Sequence, residues 1–369
     1  LKHCTDNHYL LRKSRHRWLF LFSCLSVFCL HFFPQISKAG ELELQFSSRT
    51  VSEAMSVDSI LHDWNGRLYS GELAWSRNRF ELSYRDQVWS LAYVQRYDYQ
   101  LHFNDATADL YYREENDLPL PGGAVRVKLD VWHLYADGVK FAYRWAWENG
   151  LLIEPAVTLL RPLDFQDGSL RGELQPGSGL LSGTADLNYR YTEDRLLEHR
   201  FEQPSGTGAT LDLTLSWKSE VRELKLQLQD LYGRVDWKDA PYTLGSINTV
   251  DRGKPAKVEL EPAFSGVRGE ENYRQKMPVY ARAFFTETRE GFCWLVDVDY
   301  LFGEFWLRPG LRWDGLPGNP YVGYEARDGQ WLLGLSDDSS AWFLQLGSDR
   351  SNLHKARSLT VAAGFQVFL

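Results

Sequence analysis

The chain has 369 residues, a formal net charge of −8, and aromatic side chains at 14% of the total. That acidic balance, with a pI near 5.7, gives no electrostatic basis for gripping nucleic acid. A mean hydropathy of −0.39 excludes a bundle of membrane helices, and beyond the N-terminus no apolar run reaches the roughly 20 residues that a spanning helix needs.

The first elements are an address. Arg12, Lys13, Arg15 and Arg17 precede the apolar run WLFLFSCLSVFCLHFF, which Pro34 ends, and Ser37 and Ala39 flank a cleavage point. Basic, apolar and small-residue regions in that order predict a signal peptide over 1–39 and an exported domain over 40–369. Cys4, Cys24 and Cys29 fall in this leader, so Cys293 stands alone in the mature chain. The exported protein then has no internal disulfide and no thiolate metal cluster.

After the leader, period-two alternation recurs nearly throughout. TVSEAMSVDSILHDW is the one stretch with a short helical pattern. RFELSYR and VWSLAYVQRYDYQLHF follow as strands, with a turn also predicted at Arg77-Asn78. VRVKLDVWHLY and VKFAYRWAW are predicted to form a hairpin about Asp137-Gly138, and Asn149-Gly150 marks the next turn. LLIEPAVTLL continues the meander, Pro155 costing it one ladder donor. ATLDLTLSW, RELKLQLQDLY, GFCWLVDVDYLF, FWLRPGLRW, QWLLGLS and AWFLQLG repeat the pattern, with turns at Asp328-Gly329 and Asp337-Asp338. Irregular connections are expected at 49–65, 113–123, 161–179, 192–208, 239–256 and 264–277.

One register is legible. A two-residue turn at Phe302-Gly303 sets Val298 opposite Leu307 and Tyr300 opposite Phe305 on an apolar face. It also sets Asp297 opposite Arg308 and Cys293 opposite Arg312 on the other. A slip of one residue destroys both matches. The chain ends on SLTVAAGFQVFL, with Val361, Ala363, Phe365, Val367 and Leu369 alternating to the last residue. A strand that stops this way is an exposed edge unless it pairs with another strand and faces something apolar.

Many strands reach about ten residues, the length of a tilted membrane crossing. Trp75, Trp147, Trp217, Trp313 and Trp331 stand near strand ends, where aromatic girdles sit. The fold class these features predict is all-β: one transmembrane antiparallel up-and-down β-barrel of about 16 strands, with a range of roughly 14 to 18. The alternating C-terminal strand resembles that of Gram-negative outer-membrane barrels, although the terminal residue is Leu369 and Phe368 falls on the other face. The resemblance is architectural. It implies a location in the outer membrane, contact with its lipid and lipopolysaccharide, and recognition of the C-terminal strand by the assembly machinery.

The polar faces carry charge. Arg79, Glu81 and Arg85 share one; Arg126, Lys128 and Asp130 another; Lys140 and Arg144 a third; Asp297 and Asp299 a fourth, facing Glu304, Arg308 and Arg312. Inside a barrel they would line the lumen, and opposed charges there orient passing solutes. The stretch 239–277 is a candidate constriction. Arg350, His354, Lys355 and Arg357 form a basic turn before the last strand, suited to lipopolysaccharide or an acidic solute. The function expected is a channel for small solutes of unknown identity. A closed barrel that is structural or assembles surface polymers is a second reading. An outer-membrane hydrolase using His62 or His354 is a third, and a secreted or periplasmic carbohydrate-binding protein a fourth. No HExxH, CxxC, GxSxG or phosphate loop occurs, and nothing identifies a cofactor or metal.

Overall fold

A computed structural model describes residues 40–62, 64–177, 180–193, 202–249, 263–337 and 341–369. The leader and its cleavage point lie outside them. In chain order the elements are β1 (Glu41–Ser52), α1 (Val57–Leu61), β2 (Leu73–Arg85), β3 (Trp89–Phe103), α2 (Asp105–Glu115), β4 (Val125–Tyr143), β5 (Trp145–Ala146) and β6 (Leu151–Gly177). Then come β7 (Leu180–Tyr191), β8 (Ser205–Lys218), β9 (Arg222–Thr249), β10 (Ala263–Lys276), β11 (Tyr280–Arg289) and β12 (Phe292–Leu301). β13 (Glu304–Trp313), β14 (Tyr321–Glu325), β15 (Gln330–Ser336), β16 (Trp342–Ser348) and β17 (Ser358–Phe368) complete the chain.

The strands close a barrel. Its wall runs β1-β2-β3-β4-β6-β8-β9-β11-β12-β13-β14-β15-β16-β17 and returns to β1, giving 14 strands, all antiparallel to their neighbours. The C-terminal strand pairs with β16 on one side and β1 on the other. The edge it would otherwise present is thereby removed. Tight turns join the strands at one end, as at Glu290-Gly291, where both residues have positive φ (42° and 87°). The opposite end carries α1 and α2, and also the two-residue turn at Phe302-Gly303.

The wall is far from even in height. β14 has 5 residues, whereas β6 has 27 and β9 has 28. Past the rim β7 replaces β8 between β6 and β9, and β10 replaces β11 along β9. Bonds from Gln275 Nε2 to the His133 carbonyl (2.9 Å) and from Trp132 Nε1 to the Lys276 carbonyl (3.0 Å) tie β10 back to β4. The extension therefore curls on itself around Leu134, Phe165, Val235, Trp237, Ala240 and Met277, with Phe165 stacked on Trp237 at 4.3 Å.

Outward faces are apolar, with rings at two levels. Tyr84–Trp89, Tyr143–Trp145 and Phe292–Trp313 pair toward the tight-turn end; Tyr97–Tyr135, Tyr300–Phe305 and Tyr324–Trp331 pair toward the other. From Phe292 to Tyr300 the strand covers roughly 26 Å at about 3.3 Å per residue. Trp294, Leu333 and Phe365, between or near those levels, are 60%, 62% and 55% exposed.

Several sequence expectations are corrected. Asp137-Gly138 is no turn: β4 runs straight through it, and Asp137 pairs with Arg161 of β6. Its glycine answers to crowding, since an added Cβ would sit 2.3 Å from the Leu159 carbonyl oxygen. Arg77-Asn78 lies mid-strand in β2. Much of 161–179, 239–256 and 264–277 is strand, in β6, β9 and β10; residues 250–262 lie outside the described part, as does Asp338 of the Asp337-Asp338 turn. The candidate constriction at 239–277 is thus largely the extension rather than a loop in the bore. Trp75 is buried in the lumen, not set in a girdle. The helix α2, capped by the Asn104 side chain accepting from Thr107 N at 3.1 Å, was not anticipated. The hairpin register, by contrast, matches all four expected pairs. Its turn holds Phe302 at φ 53° and Gly303 at φ 86°, the double positive that a two-residue hairpin favours.

Candidate functional site: the barrel lumen

Alternation along β1 and β2 sorts one side of the bore into layers. Glu41 pairs with Arg85, Gln45 with Glu81, Ser47 with Arg79, Arg49 with Arg77 and Val51 with Trp75, read from the tight-turn end upward. The lowest layer holds Arg85 near Glu41 (4.0 Å) and Glu43 (3.5 Å), with Arg144 on Glu154 at 3.1 Å. Above it Lys140 donates to Glu81 at 2.6 Å.

The next layer crosses the bore. Arg96 of β3 makes two bonds to Asp230 of β9, at 2.7 and 2.8 Å, although β4, β6 and β8 separate those strands in the wall. Arg79 grips Asp98 with two bonds of 2.6 and 2.8 Å. On the far side Arg308 donates to Asp299 (2.5 Å) and Asp297 (3.1 Å), and Arg282 makes two 2.8 Å bonds to Asp297. Arg49 of β1 reaches Asp299 of β12 at 3.1 Å, and the Tyr280 hydroxyl donates to the same carboxylate at 2.6 Å. Arg77 joins the two halves by donating to Gln229 while lying 3.9 Å over the Tyr280 ring. Such charges endure burial because nearly every one is paired and hydrogen-bonded.

An apolar lid completes the stack. Val51, Leu73, Trp75, Tyr280, Leu301 and Trp306 pack together, with Trp75 edge-on to Trp306 at 5.2 Å. The Arg49 guanidinium lies about 5 Å from both indoles, at 5.1 and 5.2 Å. Trp306 is fully buried, and Arg96, Asp98, Asp230 and Asp299 nearly so, so the bore is filled by side chains at this level. Below the filled level a cavity of about 530 Å³ remains, lined by residues from around the barrel wall.

The named candidates thus fall in different places. Arg79, Glu81, Arg85, Lys140, Arg144, Asp297, Asp299, Arg308 and Arg312 face the bore. Glu304 is at the rim on Arg327, and Arg126, Lys128 and Asp130 belong to the extension, Asp130 taken by Arg171. In the basic turn Arg350, His354 and Lys355 are exposed, but Arg357 is half-buried, 4.7 Å over Tyr69 and donating to the Glu53 carbonyl. His62 and His354 converge on Asp58, at 3.2 and 3.3 Å, and no hydroxyl is hydrogen-bonded to either ring among the described residues. No group of three or more His, Cys, Asp or Glu side chains is arranged to hold a metal ion among those residues.

Sequence reasoning missed Arg49, Arg96, Asp98, Asp230, Arg282 and Lys225. A signal existed for two of them: Ser90, Ala92, Val94, Arg96 and Asp98 share one parity in β3, opposite Leu91, Tyr93 and Tyr97.

No family model matches the chain, and no curated protein matches it in sequence. Among solved structures it is similar to a TodX deltaS2S3 mutant monoaromatic hydrocarbon channel, with 10% identity, 90% of this chain and 91% of that one covered, and a TM-score of 0.47. It is similar also to the siderophore receptor PirA from Acinetobacter baumannii, with 8% identity, coverage of 90% and 81%, and a TM-score of 0.24. With TM-scores below 0.5, neither likeness bears on what this barrel carries.

Proposed function

We propose that the chain is a Gram-negative outer-membrane β-barrel that passes small solutes through its charge-lined lumen, in a conformation held shut by cross-bore ion pairs. The observation that carries this reading is a lumen cavity lying directly beneath a layer of side chains that meet across the bore. Paired aromatic levels around an apolar outer surface are the features a lipid-embedded barrel needs. The outward positions of β17 suit recognition by assembly machinery, and exposed Arg350, His354 and Lys355 at the rim suit lipopolysaccharide. Passage requires the cross-bore pairs to part, and their removal opens the lumen.

Planar-bilayer recording tests it. The wild-type protein should show low conductance, and Asp230→Asn with Asp299→Asn should raise it severalfold while the barrel still resists SDS. If both forms stay silent, the second reading stands: the same filled layer is what a closed structural barrel has.

A further inference from the structure

We propose that the lumen cavity binds a small organic anion, its acidic group between Lys225 and Arg282 and its body against a wall formed by Tyr321 and Phe343. This deepens the transport reading and takes its physiological sense from it. The charge inventory points first. Seven of the cavity-lining residues are Arg or Lys; Asp98, Asp230, Asp297, Asp314 and Glu81 pair with five of them, which leaves Lys225 and Arg77 with no carboxylate in ion-pair range among the described residues.

Lys225 is the informative one. It projects from β9 beside Phe284 of β11, and Arg282 and Arg85 both act on it as like charges. Glu154 and Glu223 are the carboxylates that act on it, but Glu154 is held by Arg144, and neither is within ion-pair distance of Lys225 among the described residues. Arg77 likewise has a Gln and a Tyr ring as partners rather than a carboxylate. A lysine held inside a barrel beside two guanidinium groups, with no carboxylate in ion-pair range among the described residues, is costly, and a bound anion offsets that cost.

The wall from β13 to β17 is built to be flat. A Cβ added at Gly310, Gly323 or Gly334 would lie 2.4, 2.1 or 3.1 Å from atoms of Tyr321, and one at Gly364 would lie 2.1 Å from Phe343. Bare backbone on the same and on neighbouring strands lets these rings lie against the wall, and Leu295 adds to the apolar lining. A cavity of this size, with one charged corner and an aromatic face, fits a compact carboxylate and orients it.

Isothermal titration of the full chain folded in detergent, with benzoate, benzamide, benzylamine and sulfate as probes, decides the matter. Benzoate should bind at least tenfold more tightly than benzamide or sulfate, and benzylamine not measurably. Lys225→Gln should weaken benzoate at least tenfold, and Phe343→Leu severalfold from the other wall, so one folded variant suffices. Equal binding of benzoate and benzamide, no binding of benzoate, or binding unmoved by the variants overturns the proposal. Conductance is read separately. A barrel that binds benzoate but never conducts loses the transport reading alone, and one that conducts without binding benzoate loses only the anion site.

Discussion

At the scale of single residues, the rim beside β14 and β15 is where charge and burial conflict. Asp328, in the turn after β14, is pushed up to about 7 by burial and then by the neighbouring Glu325 carboxylate, against the pull of Arg49. Arg49 lies 3.5 Å from Asp328 and 3.6 Å from Glu325, and Trp306 Nε1 donates to Asp328 at 3.2 Å. A carboxyl whose folded pKa is raised binds its proton more tightly when folded. Its stabilising contribution is whole below about pH 4, the ordinary carboxylate range, and fades as pH rises through about 7. The temperature at which the barrel loses SDS resistance should therefore fall between pH 5 and pH 8, and Asp328→Asn should flatten that dependence. An unchanged slope in the variant would assign the pH effect to other groups.

Elements differ in what holds them. The wall is secured by ladders on both sides of every strand, whereas the extension depends on the small core around Trp237. Truncating a fully buried Trp typically costs about 3–5 kcal/mol, and here the loss should be local. Trp237→Ala should make β7 and β10 susceptible to protease while leaving the wall's heat resistance intact; equal loss of both would mean that extension and wall fold as one unit. How much of each element was legible depended on what spaced its residues. The β12–β13 hairpin could be registered because two faces and one turn agreed. β4 was misread because Gly138 carries the same dipeptide signature whether it turns the chain or admits a close neighbour, and only the position of Leu159 distinguishes them. The extension was missed because Gly- and charge-rich strands such as AFSGVRGEENYRQK lack the apolar stripe by which strands are found.

For the whole molecule, the expected behaviour is that of a closed sheet in lipid. Run unboiled in SDS, the membrane fraction should give a band that shifts after boiling, because no edge is available from which the sheet can unzip. Recovery in the soluble fraction without a shift would remove the membrane reading and restore the carbohydrate-binding one. Asymmetry of the wall has a consequence at this scale. The filled layer and the extension both stand on the same side of the cavity, away from the tight-turn end.

The sequence alone determined that the chain alternates, that one of its faces is apolar and the other charged, and that its last strand needs a partner. These are local properties, written in the two-residue period of a strand. It determined the partner of Asp297 as well, because a hairpin keeps paired residues close in the chain. Only the tertiary structure decided that Arg96 meets Asp230, that Arg49 meets Asp299, and that Lys225 has no carboxylate within ion-pair distance among the described residues. Those contacts cross a bore between strands that are not neighbours in the wall, and their geometry follows from the strand number and stagger of closure, which no single segment encodes.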